Sequence, residues 1–133
     1  MTVVVFSKSP TSPRMKFPRR PRTGPEITVE PVTRMRRVLP LLEQGQLVYL
    51  DMGGLGEVER RRALAALSKK PGLHVGVIDP QGKAQDVASL FHAGIVDYMG
   101  KGFRGAGLDA RRVERVLAFA GSRSVGPSTA PGP

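Results

Sequence analysis

The sequence contains no cysteine and no tryptophan, and aromatic residues make up only 5% of its 133 positions. Without cysteine the chain can form no disulfide framework, no thiolate metal site and no cysteine nucleophile. Its two histidines, His74 and His92, are too few for a convincing metal cluster. These absences fit a reducing compartment, so we expect a cytoplasmic protein that holds no metal and no cofactor.

Long apolar stretches are also missing. No run approaches the roughly 18 residues that identify a transmembrane helix. The apolar stretch at residues 1–6 is short and has no basic lead, so we expect neither a signal peptide nor a membrane partner. A chain of this length fits one domain with a real hydrophobic core.

Acidic residues are scarce relative to basic ones: 11 Asp and Glu stand against 21 Lys and Arg, which gives a formal net charge of +10. Such a charge favours an anionic partner. Residues 7–25 form a basic segment whose prolines fix the backbone and remove amide donors, so we expect a mobile loop there rather than a helix. The candidate anion contacts in this loop are Lys8, Arg14, Lys16, Arg19, Arg20 and Arg22.

Outside this loop, short apolar runs alternate with segments of helical periodicity. We predict strands at residues 2–6, 26–32, 46–52, 73–78 and 95–99. We predict helices at residues 33–45, 57–70, 83–93 and 109–121, the first of them disturbed by Pro40. This alternation predicts an α/β domain over residues 1–121, with a doubly wound five-stranded parallel sheet in which the 7–25 loop replaces the first helix. Residues 122–133, rich in Pro, Gly and Ser, are expected to form a flexible tail or linker.

Charged residues lie at or just after the ends of three predicted strands, where parallel sheets collect their functional groups. They are Asp51, Asp79 and Lys101. The stretch Phe91-His-Ala-Gly-Ile-Val-Asp-Tyr-Met-Gly-Lys-Gly-Phe103 resembles the signature AGAxDYxxKPF of the receiver domain of bacterial response regulators. Residues 47–52 are similar to the receiver strand that ends in the phosphoaccepting aspartate. The resemblance covers residues 46–120 well and residues 1–46 poorly.

The resemblance implies a flavodoxin-like fold and assigns a role to each of four positions. Asp51 takes the phosphoacceptor position and Lys101 that of the pocket lysine, while Asp79 and Tyr98 take the two switch positions. Receivers also place a carboxylate pair after the first strand, which holds the divalent cation needed for phosphoryl transfer.

The chain departs from the receiver pattern at positions that phosphoryl transfer requires. Phe6 and Ser7 stand at the position of the acidic pair and supply no carboxylate. Asp79 stands where receivers have Thr or Ser, and its charge would repel an incoming phosphoryl group. We therefore predict that Asp51 and Lys101 form an ion pair, with Asp79 as a second acceptor, and that the pocket no longer carries out phosphorylation.

We expect a degenerate receiver that is not an enzyme and that acts in bacterial signal transduction as a phosphorylation-independent interaction or dimerisation module. The resemblance implies contact with a protein partner, or with a second copy of the chain, through residues 84–120. One alternative is a basic nucleic-acid-associated protein on the same fold, although so few aromatic residues would limit it to weak, salt-sensitive binding. Another alternative is a phosphoaccepting receiver with an unusual metal site.

Overall fold

The computed structural model describes residues 2–17, 26–43, 45–104 and 107–129. Within these ranges the strands are β1 (Thr2–Ser7), β2 (Glu26–Pro31), β3 (Leu47–Asp51), β4 (His74–Ile78) and β5 (Asp97–Met99). The α-helices described are α1 (Met35–Val38), α2 (Glu57–Ser68), α3 (Val87–His92) and α4 (Ala110–Thr129). Short 3-10 turns occupy Pro13–Met15, Val32–Arg34 and Leu39–Leu41.

All five strands pair in parallel, in the order β2-β1-β3-β4-β5. The interior strand β3 is buried along its whole length, as its continuous apolar run predicts for a strand covered on both faces. These observations confirm the predicted α/β fold with a five-stranded parallel sheet.

The two faces of the sheet carry separate hydrophobic clusters, because successive side chains of a strand point to opposite sides. On β1, Val3 and Val5 join a cluster that α4 closes, whereas Val4 and Phe6 join a cluster that α1 and α2 close. Helices therefore cover both faces of the sheet, and the carboxyl ends of the strands meet at one edge.

Two helices are shorter than the sequence analysis predicts. Helix α1 ends at Val38, and Pro40 lies in the 3-10 turn that follows, because proline cannot donate the amide hydrogen bond of a continued helix. Helix α3 begins at Val87, with Asp86 as its cap, rather than at Lys83. The residues before it form a turn around Asp79, whose carboxylate accepts hydrogen bonds from the backbone amides of Lys83 and Ala84.

The last helix, α4, is longer than predicted. Asp109 accepts a hydrogen bond from the Arg112 amide at 2.9 Å, which confirms the predicted cap. The expected end at Gly121 is wrong, since α4 continues to Thr129. A glycine inside a helix costs only about 1 kcal/mol relative to alanine, which does not suffice to stop one. The predicted tail at 122–133 therefore begins inside this helix, and residues 130–133 lie outside the described ranges.

The connection between β1 and β2 contains no α-helix in its described part, residues 8–17. Part of this segment packs against the core: Met15 is buried, and Phe17 lies against Phe103 with ring centroids 6.5 Å apart. The mobility expected for residues 7–25 stays a prediction. No helix within the described ranges is long and apolar enough to span a membrane.

Candidate functional site

The sheet brings three of the predicted site residues to one edge. Ser7 ends β1, Asp51 ends β3, and Asp79 directly follows β4. These three strands are neighbours in the sheet, and all three side chains are buried. They meet there because the parallel strands all end at the same edge of the sheet.

Asp51 is held by uncharged donors. Its Oδ2 accepts a hydrogen bond of 2.7 Å from the Ser7 hydroxyl, and its Oδ1 accepts one of 2.9 Å from the Gly53 amide. The Ser7 oxygen in turn accepts a 3.1 Å hydrogen bond from the Ser9 amide. Of the two residues at the expected acidic-pair position, only Ser7 reaches Asp51, because Phe6 is wholly buried in the core cluster beneath α2.

Asp79 is held by three further donors. Its Oδ1 accepts from the Lys83 amide at 2.8 Å, and its Oδ2 accepts from the Ala84 amide at 2.8 Å and from the Tyr98 hydroxyl at 2.7 Å. Burial opposes ionisation of Asp79, but these hydrogen bonds outweigh it and, with the positive charge of Arg60, lower the pKa of this carboxyl below its ordinary value. Each oxygen of Asp79 thus accepts at least one hydrogen bond from the protein.

The two expected switch residues are therefore bonded to each other. Burial and the hydrogen bond to the charged Asp79 raise the pKa of Tyr98 to about 12, so its hydroxyl stays a donor at neutral pH. Reorientation of the Tyr98 ring would break this bond and leave Asp79 short of one donor.

Lys101 does not take its expected place. It is exposed, and among the described residues it forms no ion pair with Asp51 or Asp79. Its aliphatic stem lies across Gly82, where an added Cβ would come 3.0 Å from the lysine Cε. The predicted ion pair is wrong because hydroxyl and amide donors already satisfy both carboxylates, and the ammonium group keeps its hydration at the surface.

The site residues do not fit the divalent cation that the receiver resemblance implies. Such an ion needs several anionic or carbonyl oxygens, yet the oxygens of Asp51 and Asp79 accept hydrogen bonds from the protein. Among the described residues, no group of three or more His, Cys, Asp or Glu side chains is arranged to hold a metal.

The basic loop contributes one lysine near this edge. The Lys8 ammonium lies 3.5 Å from the Gly54 carbonyl oxygen and 3.8 Å from a carboxylate oxygen of Glu59. Lys16 is exposed. The remaining candidate anion contacts, Arg19, Arg20 and Arg22 together with the side chain of Arg14, lie outside the described residues. Nucleic-acid binding through this loop stays a prediction.

Sequence reasoning missed a second buried polar network, on the sheet face covered by α4. The Tyr49 hydroxyl donates to Asp97 Oδ2. Arg112 binds both oxygens of Asp97, through Nε and Nη2, at 2.8 Å each. Burial and the charge of Asp97 raise the pKa of Tyr49, and the hydrogen bond to Asp97 raises the pKa of Arg112. Tyr49 stays a phenol and Arg112 a cation, so the network holds one anion against one cation.

This network crosses three strands. Tyr49 on β3 pairs in register with Gly76 on β4, and Gly76 pairs with Asp97 on β5. The tyrosine ring lies over Gly76, where an added Cβ would come 2.7 Å from Cδ1 of the ring. The one signal in the sequence was a glycine between two valines inside a strand, which marks a close approach.

No family model, no curated protein and no solved structure matches this chain.

Proposed function

We propose that the chain is a degenerate response-regulator receiver with a flavodoxin-like architecture, which acts in bacterial signal transduction as a phosphorylation-independent interaction module. The observation that carries the proposal is the bonding of Asp51, at the phosphoacceptor position, to the Ser7 hydroxyl and the Gly53 amide. A phosphoryl acceptor needs a free carboxylate oxygen and a nearby cation. Here one residue of the expected acidic pair is a hydrogen-bond donor to the very carboxylate that would react.

The residues at the two switch positions support the same proposal. A receiver responds when a hydroxyl near the pocket moves toward the phosphoryl group and an aromatic side chain follows. In this chain the corresponding residues, Asp79 and Tyr98, are bonded to each other at 2.7 Å. The pair favours one fixed arrangement of the edge, which suits a module that presents a constant surface.

The contact surface we propose comprises α3, β5 and the first part of α4, within residues 84–120. Phe119 is 44% exposed there and packs edge-on against Phe91, with ring centroids 6.4 Å apart. A groove of about 420 Å³ lies beside these rings, and Arg112 and Arg115 line it. Aromatic and arginine side chains are enriched at protein interfaces, so this surface suits a protein partner or a second copy of the chain.

Phosphorylation is the direct test. The full chain would be incubated with acetyl phosphate and Mg²⁺, and separately with beryllofluoride and Mg²⁺, while intact mass and tyrosine fluorescence are followed. We expect no phosphoryl adduct and no fluorescence change, either in the wild type or in the matched control Asp51→Asn. An adduct or a fluorescence change that appears in the wild type and disappears in Asp51→Asn would refute the proposal and identify a working phosphoacceptor.

A further inference from the structure

A groove lies beside the carboxyl ends of β3 and β4, between α2 and the segment that joins β4 to α3. Its volume is about 340 Å³, which falls at the lower end of the roughly 300–1,000 Å³ typical of small-molecule sites. Met52, Leu64 and Leu90 line it, and they belong to one apolar cluster in which Met52 is almost fully buried. The groove therefore offers a compact ligand an apolar floor.

Two of the charged groups that line the groove already neutralise each other, and a third is engaged in a helix cap. Arg61 Nη2 lies 2.8 Å from Glu57 Oε1. Asp86 accepts hydrogen bonds from the amide and the hydroxyl of Ser89, at 3.2 and 2.6 Å. Neither carboxylate pairs with the two remaining cations of the lining.

Those two cations are Arg60 and Lys83. The Nε of Arg60 is buried and has no hydrogen-bond acceptor within the part of the chain that the structure describes. The ammonium of Lys83 donates to the carbonyl oxygen of Leu55 at 3.1 Å and, across the described ranges, has no carboxylate partner. Asp79 feels the charge of Arg60 but lies outside the groove lining, held by its own donors.

A buried N–H without an acceptor is unfavourable, and it shows that the protein leaves part of the hydrogen-bonding capacity of the Arg60 guanidinium unused. The planar guanidinium of arginine matches the geometry of carboxylate and phosphate groups, and a nearby ammonium adds a second charge-assisted contact. We propose that this groove binds a small organic anion, whose carboxylate or phosphate group pairs with Arg60 and Lys83 and whose compact apolar body rests on Met52 and Leu90. This ligand site goes beyond the proposed signalling role and does not involve Asp51.

The test is calorimetric titration of the full chain with four probes: phenyl phosphate, benzoate, inorganic phosphate and phenol. We expect phenyl phosphate or benzoate to bind more tightly than inorganic phosphate, which lacks an apolar body, and phenol, which lacks the charge, to bind most weakly. Tighter binding of phenyl phosphate assigns the site to phosphate esters, and tighter binding of benzoate assigns it to carboxylic acids. Failure of both aromatic anions to bind overturns the proposal.

Variants connect the binding to the two cations. Arg60→Gln and Lys83→Gln are each expected to weaken the better probe by about tenfold or more, the loss of one charge-assisted contact. The matched control is Arg62→Gln, on the same helix but exposed and outside the groove, and it should bind like the wild type. Unchanged affinity in both groove variants refutes the site, and circular dichroism confirms that each variant is folded. Asp51→Asn should bind the probe normally, which separates this test from that of phosphorylation.

Discussion

The sheet buries carboxylates in two different ways. At its carboxyl edge, Asp51 is held by a hydroxyl and a backbone amide, and it forms no ion pair with any residue in the described ranges. On the face beneath α4, Asp97 is bound at both oxygens by the guanidinium of Arg112. The buried carboxylate has hydrogen-bond donors in both places but a counter-charge in only one. Removal of a partner should therefore lower the free energy of unfolding by a different amount in each place.

The largest effect is expected at the ion pair. Asp97→Asn leaves the guanidinium of Arg112, whose side chain is only 29% exposed, without its counter-charge. We expect a loss of about 3 kcal/mol in the free energy of unfolding, in line with the removal of one partner from a buried ion pair. Urea unfolding followed by circular dichroism measures this loss. Glu114→Gln, an exposed change on the same helix, is the control and should stay close to the wild type. Equal losses in the free energy of unfolding for Asp97→Asn and Glu114→Gln would contradict the stabilising role assigned to the ion pair.

An intermediate effect is expected at Asp79, where hydrogen-bond donors and the charge of Arg60 lower the pKa and no ion pair forms among the residues that the structure describes. Asp79→Asn sets an amide group against backbone N–H donors, which should cost about 2 kcal/mol at neutral pH. Because the folded pKa lies below the ordinary 3.8, the charged form contributes stability that is fully present above that value and is lost as the pH falls through the folded pKa. The wild type should therefore lose stability on acidification more steeply than this variant.

Urea midpoints measured from neutral pH to below 3.8 would record that difference. Tyr98→Phe removes one of the three donors and should raise the pKa of Asp79, so that its acid loss begins at higher pH than in the wild type. Parallel acid profiles in all three proteins would mean that Asp79 does not govern this part of the stability curve.

The smallest effect is expected at Ser7. Ser7→Ala removes the hydroxyl donor of Asp51 but leaves the Gly53 amide in place, so we expect a loss of about 1 kcal/mol in the free energy of unfolding. The same urea titration measures it, and the control is Ser9→Ala, an exposed change that keeps the backbone amide bonded to Ser7. A loss in Ser7→Ala as large as that in Asp97→Asn would remove the distinction between the two kinds of carboxylate.

The sequence predicted the architecture because it depends on patterns that are local. Apolar runs such as 47–51 define strands, and in a parallel sheet their ends gather Ser7, Asp51 and Asp79 at one edge. It failed for Lys101, because the direction of a long side chain depends on the space above Gly82 and on donors that arrive from elsewhere. Neither influence can be derived from the spacing between Asp51 and Lys101.

The network at Asp97 escaped prediction for a related reason. Its members are Tyr49, Asp97 and Arg112. The alignment of three strands brings Tyr49 to Asp97, and the packing of α4 on the sheet adds Arg112. A tyrosine inside an apolar strand does not by itself specify which partner its hydroxyl reaches. The gathering of polar residues at the carboxyl edge was predictable from the parallel topology. Predicting the network would have required the residue-by-residue pairing of the strands.

The close approach of Tyr49 to Gly76 also bears on how β4 finds its alignment during folding. A slip of one residue would exchange the two faces of β4, and because both faces lie against apolar clusters, hydrophobicity opposes this slip only weakly. A slip of two residues would preserve the faces, and the apolar pattern of the strand does not prevent it. Such a slip would place His74 or Ile78 beneath the tyrosine ring, where even one added carbon at Gly76 comes too close. Gly76 thus sterically excludes a misalignment of β4 that the apolar pattern of the strand alone would allow.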